Sequence, residues 1–215
     1  PVLHDDLFTK GIDPAPDKPS NITERLHFGM GDVEKGFKEA DIIVEREFHT
    51  VPVHPGYIEP FASTALWAQD GHVTIWTTPQ GSFGVREGTA AIVGIPESML
   101  KVIPMECGGG FGGKGPNTNC LNPMTAVLSK KTGHPVKMVM TRAEVLEATG
   151  PGSGTYTWMK MGVKKDGRIV SAQAYLAFEA GAYPGSAVNA GAMCMLNMYN
   201  IENILIDAYD VLVNK

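Results

Sequence analysis

The stretch TYTWMKMGVKKDGRIVSAQAYLAFEAGAY, residues 155–183, constrains the fold more than any other part of the chain. Polar and apolar residues alternate on both sides of Asp166-Gly167. A period of two places successive side chains on opposite faces of a sheet, and Asp-Gly supplies a tight reversal. The stretch therefore predicts a long antiparallel hairpin. FASTALWAQDGHVTIWTT predicts a second, turning at Asp70-Gly71. IIVEREFHT, MLKVIPME, HPVKMVMTR and the run NILIDAYDVLVNK read as single strands.

Helices are predicted between these strands. Asp32 is the expected N-cap of a short helix ending at Glu39. PQGSFGVREGTAAIVG has mixed helical spacing, and NPMTAVLSKKTG ends on Gly133, a helix-stopping residue. SAVNAGAMCMLNMYN is rich in small residues and reads as helical. Hairpins mixed with single helices give an α+β class, with mixed sheets and a few short helices, rather than a doubly wound parallel sheet. Residues 1–25 are rich in Pro and Asp and have no apolar period, so they read as an extended arm or linker. Residues 26–215 read as one domain. The chain begins at Pro1 and runs into a strand-like end, so it is expected to be a piece of a longer polypeptide.

With 43% hydrophobic and 19% charged residues, the chain can bury a core. Its net charge of -5 argues against nucleic acid, whose phosphates demand clustered Lys and Arg. No stretch approaches the roughly 20 apolar residues that span a bilayer, and PVLHDDLFTK has no apolar signal core. The expected compartment is the cytoplasm. Cys107, Cys120 and Cys194 form neither a CxxC pair nor a zinc pattern. Each is expected to be a small buried hydrophobe, Cys107 as the last residue of a buried strand.

The chemistry is expected in CGGGFGGKGPNTN, Cys107 to Asn119. Five of the six residues from Gly108 to Gly113 are glycine. A plain turn needs one or two, and each extra one costs about 0.5–1 kcal/mol in backbone entropy. Gly108, Gly110 and Gly113 satisfy GxGxxG, but no helix opens inside the motif and no carboxylate follows at dinucleotide-site spacing. Gly108 to Lys114 satisfies GxxxxGK, but Gly115 stands where a magnesium-binding hydroxyl is needed. The remaining reading is a cradle of backbone N–H groups around a bulky anionic cofactor, with Phe111 flanking its reactive end.

GGGFGGK after a strand resembles the loop in the molybdenum-cofactor subunit of the xanthine dehydrogenase, aldehyde oxidase and aerobic carbon monoxide dehydrogenase family. In TIWTTPQ, Gln80 stands thirty-one residues before Phe111, as a Gln does in that family. VGIPESMLKVIPME, HPGYIEP, VKMVMTRAEVL and GRIVSAQAYLAFEAGAY are similar to further family segments. The resemblance implies the first of two molybdopterin-binding domains. It implies that Gln80, Gly109, Gly110, Phe111, Gly112 and Gly113 bind the cofactor. Gln80 would donate to an oxo ligand of molybdenum, a role its NH2 fills without adding charge. The amides around Phe111 and Gly112 would line the metal site opposite.

The implied cofactor is molybdopterin, in a dinucleotide form, with molybdenum held by the pterin rather than by side chains. The implied reaction hydroxylates an aldehyde or N-heterocycle carbon with oxygen from water. Electrons leave through Fe–S and FAD centres on partner domains or subunits. The implied catalytic Glu belongs to a GxGE stretch in the second molybdopterin domain, and no GxGE occurs here. No catalytic residue is therefore expected in this chain.

Two departures bear on substrate. Purine-oxidising members carry a Glu directly after the loop lysine, where this chain has Gly115, and an Arg at the position matching Ala190. Both positions are expected to face the substrate pocket, and their lost charges argue against xanthine. His54 and Glu59 are expected to be structural, with Glu59 accepting backbone N–H groups near the pocket. Met193, Met195 and Met198 read as core or subunit-facing filler. The competing reading is a non-catalytic scaffold that keeps the fold.

Overall fold

The computed structural model describes residues 1–116 and 120–214. The 117–119 end of the glycine stretch, and Lys215, lie outside the described residues. The chain divides into two compact units: Pro1–Pro52 with Ser153–Lys215, and Val53–Gly152.

The first unit is a five-stranded mixed sheet. Strands β1 (Ile22–Met30) and β2 (Ile42–Thr50) flank helix α1 (Val33–Glu39). Asp32 caps α1 as expected, its carboxylate accepting from Lys35 N at 3.0 Å. Ile22 to Arg25, placed in the arm by sequence, begin β1. The arm's Lys10 pairs beside Glu24.

In the second unit, β3 (Ala62–Trp67) and β4 (Val73–Thr77) form the expected hairpin through Asp70-Gly71. Helix α2 (Ser82–Val93) and a 3-10 turn (Glu97–Met99) carry the chain to β5 (Leu100–Pro104), parallel to β4. Helix α3 (Leu121–Thr132) stops at Gly133, whose φ of 70° is left-handed. It leads to β6 (Val136–Val139), antiparallel to β3, giving a sheet order β5-β4-β3-β6. Ala65, Val73, Ile75, Ala90, Leu100 and Ala126 form the core between this sheet and its helices. Helix α4 (Arg142–Ala148) was not foreseen. Its signal was present, because Thr141 and Glu144 form a reciprocal capping box.

The chain returns to the first unit with β7 (Thr155–Val163) and β8 (Ile169–Gly181), the predicted long hairpin. Helix α5 (Val188–Cys194) crosses over to β9 (Ile204–Leu212), parallel to β8 and antiparallel to β1. The order is β1-β9-β8-β7-β2. Along β9 every second residue is buried: Ile204, Ile206, Ala208, Asp210 and Leu212. Ile204, Ile206 and Ala208 join Ala172, Ala174, Leu176, Val188 and Leu196 in one cluster. Mixed sheets with short helices are the α+β class read from the sequence.

The cysteine expectation fails. Cys107, Cys120 and Cys194 are all exposed. Strand β5 stops at Pro104, so Cys107 lies in the loop beyond it rather than in a buried strand. Of the methionines, Met195 packs on the core cluster, whereas Met193 and Met198 are exposed. Among the described residues, no helix is long and apolar enough to cross a membrane.

Candidate functional site

Parallel pairing of β4 and β5 explains the spacing between Gln80 and the glycine loop. Two parallel neighbours present their carboxyl ends side by side, where α/β sheets commonly bind ligands. Thr77 pairs with Pro104 at the ends of the two strands, and Met105 N donates to Thr77 O at 2.8 Å. Gln80 leaves the end of β4, and the loop leaves the end of β5. The intervening helix occupies the sequence between them.

Gln80 and the loop are bonded together. Its backbone N donates to Lys114 O at 2.8 Å. Its side-chain Oε1 accepts from Gly112 N at 2.9 Å and from Lys114 N at 3.1 Å. Two N–H donors on one atom require oxygen there, which assigns the amide. The Nε2 group is left without a hydrogen bond among the described residues.

The glycines allow this closeness. A Cβ on Gly110 would lie 2.4 Å from Gln80 Oε1, and one on Gly113 would lie 2.5 Å from the Tyr57 ring. The N–H groups of Gly112, Gly113 and Lys114 are satisfied within the protein. Those of Gly109, Gly110 and Phe111 have no partner among the described residues, so three spare amides lie beside the spare Gln80 carboxamide. Phe111 is 75% exposed and sits at φ 49°, left-handed and strained for a side chain of this size.

The loop is fastened from below by a charge that the sequence reading missed. Lys114 is 0% exposed. Its Nζ donates to Glu59 Oε2 and lies 3.4 Å from Thr78 Oγ1, over the rings of Tyr57 and Phe61. The same Glu59 oxygen accepts from Gly108 N at 2.9 Å, the backbone role expected of it. Burial pushes the Glu59 carboxyl up, but the bonds from Lys114 and Gly108 outweigh it and leave its pKa below the ordinary carboxylate value. His54 bonds Thr149 Oγ1 at 2.9 Å and serves the scaffold.

The remaining expected site residues fall in two places. Gly115 follows Lys114 in the second unit and is half-buried. Ala190 is exposed on α5 in the first unit.

Phe111→Gly tests the strain. The left-handed backbone costs a side chain about 1–2 kcal/mol, and glycine's extra chain entropy offsets about 0.5–1 kcal/mol of that. The exposed ring contributes little burial. Thermal melts of the variant should show an unchanged Tm or a rise of about 2–4 °C. A lowered Tm would mean that the ring supports the fold.

The site's donors are neutral: three amides and one carboxamide. Among the described residues, no group of three His, Cys, Asp or Glu is placed to hold a metal ion. Such donors suit a group that carries its own oxygen-rich, anionic periphery. The loop and Gln80 are thus a candidate cradle for such a group.

Comparison with known proteins names the cofactor. Residues 15–215 match the molybdopterin cofactor-binding domain model, and the chain belongs to that family. It is 31% identical over 209 residues to the nicotinate dehydrogenase large molybdopterin subunit of Eubacterium barkeri, covering 94% of this chain and 48% of that protein. It is 33% identical over 202 residues to xanthine dehydrogenase/oxidase of Gallus gallus, covering 91% of this chain and 15% of that one. Among solved structures it is similar to CO dehydrogenase from Oligotropha carboxidovorans, with a TM-score of 0.71, 26% identity, and coverage of 94% and 26%. Aldehyde oxidoreductase from Desulfovibrio gigas gives a TM-score of 0.73 at 25% identity, covering 94% of this chain and 22% of that one. The chain thus spans about half of the first relative and a smaller part of the others.

Proposed function

We propose that this chain is the first molybdopterin-binding domain of a molybdenum hydroxylase that acts on an aldehyde or an N-heterocycle, with oxygen from water. The observation that carries the reading is the oriented Gln80. Its oxygen is held by Gly112 and Lys114, so its NH2 remains to donate to an oxygen of the cofactor.

When bound, the molybdenum cofactor supplies the two-electron oxidation. The chain's own part is to hold it. Gln80 donates from the end of β4, and Gly109, Gly110 and Phe111 offer N–H groups from the end of β5. Because the loop's own N–H groups hold the Gln80 carboxamide in place, little reorganisation is needed for it to donate to the cofactor. Phe111, exposed at the turn of the loop, shields the reactive side.

The catalytic carboxylate is proposed to come from a second molybdopterin domain, and the cofactor to be a dinucleotide form. Fe–S and FAD centres on partner domains or subunits would take the electrons. Three exposed cysteines without a disulfide fit a reducing cytoplasm. Gly115 and Ala190 offer no charge with which to orient a purine, which favours a smaller or less polar substrate than xanthine.

The test is metal and pterin analysis of the complete polypeptide, purified from its native host. Stoichiometric molybdenum with co-purifying iron and flavin is the expected result. Absence of molybdenum, under conditions where a known family member loads fully, overturns the reading in favour of a scaffold. Residues 1–215 alone should show no hydroxylase turnover, and turnover by that piece would sink the assignment of catalysis to a second domain.

A further inference from the structure

Lys114 is a poor choice for filling space. A buried ammonium is costly to desolvate, and apolar residues in place of a buried ion pair often stabilise a protein instead. The best-attested use of such a pair is to fix a register. Here the pair has a register to fix. One oxygen of Glu59 binds Lys114 Nζ and Gly108 N, so a single atom ties the last residue of the loop to its first. The Lys114 backbone is in turn bonded in both directions to Gln80, through Gln80 N to Lys114 O at 2.8 Å and Lys114 N to Gln80 Oε1 at 3.1 Å. Tyr57 and Phe61 wall the ammonium in, with ring centroids 5.1 and 6.0 Å away.

We infer that Glu59 and Lys114 are positioning residues for the cofactor: their ion pair pinches the loop at its base and sets the direction of the Gln80 carboxamide. The inference rests on the cofactor-site reading above. The Lys114 side chain is shut off from the surface, so it cannot act by direct contact. Their action runs through the Lys114 backbone to Gln80, and through Gly108 to the spare amides. The pair is neutral as a whole, so its contribution is alignment rather than attraction of an anion.

The experiment uses the complete protein with Glu59→Gln, Lys114→Met and the double variant. Glu59→Gln keeps an acceptor for both donors but leaves the buried Lys114 ammonium without its counter-charge. Three readouts are taken: Tm, amide exchange of peptides covering 76–82 and 107–116 by mass spectrometry, and molybdenum and pterin retained after gel filtration. The expected result for Glu59→Gln is a lowered Tm, with exchange in those two peptides accelerated about ten-fold more than elsewhere in the chain, corresponding to a loss of local protection, and a several-fold loss of cofactor retained per folded molecule. The double variant should recover Tm relative to Lys114→Met without recovering loop protection.

If loop exchange and retained cofactor follow only the folded fraction, the pair is structural and the inference is overturned. The exchange measurement is made on cofactor-free protein as well. A wild-type protein that never holds molybdenum would therefore defeat the functional reading. Unchanged loop exchange in the variants would defeat the positioning role.

Discussion

Gln80→Glu in the complete protein is expected to cut turnover by about 10²–10³-fold, the usual effect of removing one preorganised donor from an active site. The substitution preserves shape. A glutamate oxygen still accepts from Gly112 N and Lys114 N, the two bonds that hold the loop. What changes is the outward atom, which becomes a charged acceptor facing an oxygen-rich anionic group. Gln80→Ala removes both functions and should also speed amide exchange across Gly108–Lys114. The pair of variants therefore separates the loop-holding oxygen from the cofactor-facing nitrogen. The readouts are turnover, molybdenum content and loop exchange for each variant. Near-normal turnover in fully loaded Gln80→Glu would remove the donor role on which the proposed function rests.

The sequence showed Gln80 and the glycine loop but not why they meet. Period-two alternation made both hairpins visible. It could not show that β4 and β5 are parallel neighbours, because strand order depends on contacts between residues far apart in the chain. Strand β1 was obscured by the Pro-rich arm, and its exposed half breaks the buried-exposed rhythm.

The Lys114–Glu59 pair had a faint signal. Lys114 is the only charged residue between Glu106 and Lys130, and Glu59 the only Asp, Glu, Lys or Arg between Glu47 and Asp70. Two isolated opposite charges in uncharged stretches hint at mutual burial, yet only the fold brings them together. The exposure of Cys107 was misread for a related reason. Its place after an apolar run suggests a buried strand end, but β5 stops three residues earlier and the chain is already in the loop.

Asp210→Ala should have a large effect on stability. Asp210 occupies the buried row of β9, where the alternation calls for an apolar residue. Its carboxylate accepts from Thr23 Oγ1 at 2.6 Å and from Gly185 N and Ser186 N at 3.0 Å each. It therefore ties β1 and the turn leading into α5 to one point. Leaving these donors unpaired is expected to cost about 3 kcal/mol, allowing for rehydration at the more open turn. That corresponds to a Tm lowered by about 6–12 °C, with faster amide exchange in α5, the helix that carries Ala190.

The same carboxylate makes the effect depend on pH. Burial raises its pKa, but the bonds from Ser186, Thr23 and Gly185 outweigh burial and hold it below the ordinary value of 3.8. A carboxyl depressed by folding stabilises fully above its unfolded pKa and loses that contribution as pH falls through the folded one. The stability gap between wild type and Asp210→Ala should thus be constant near neutral pH and narrow below about pH 4. Denaturant melts at a series of pH values measure it. A gap that persists unchanged well below that pH would assign the loss to missing volume rather than to the charge, because a cavity does not titrate.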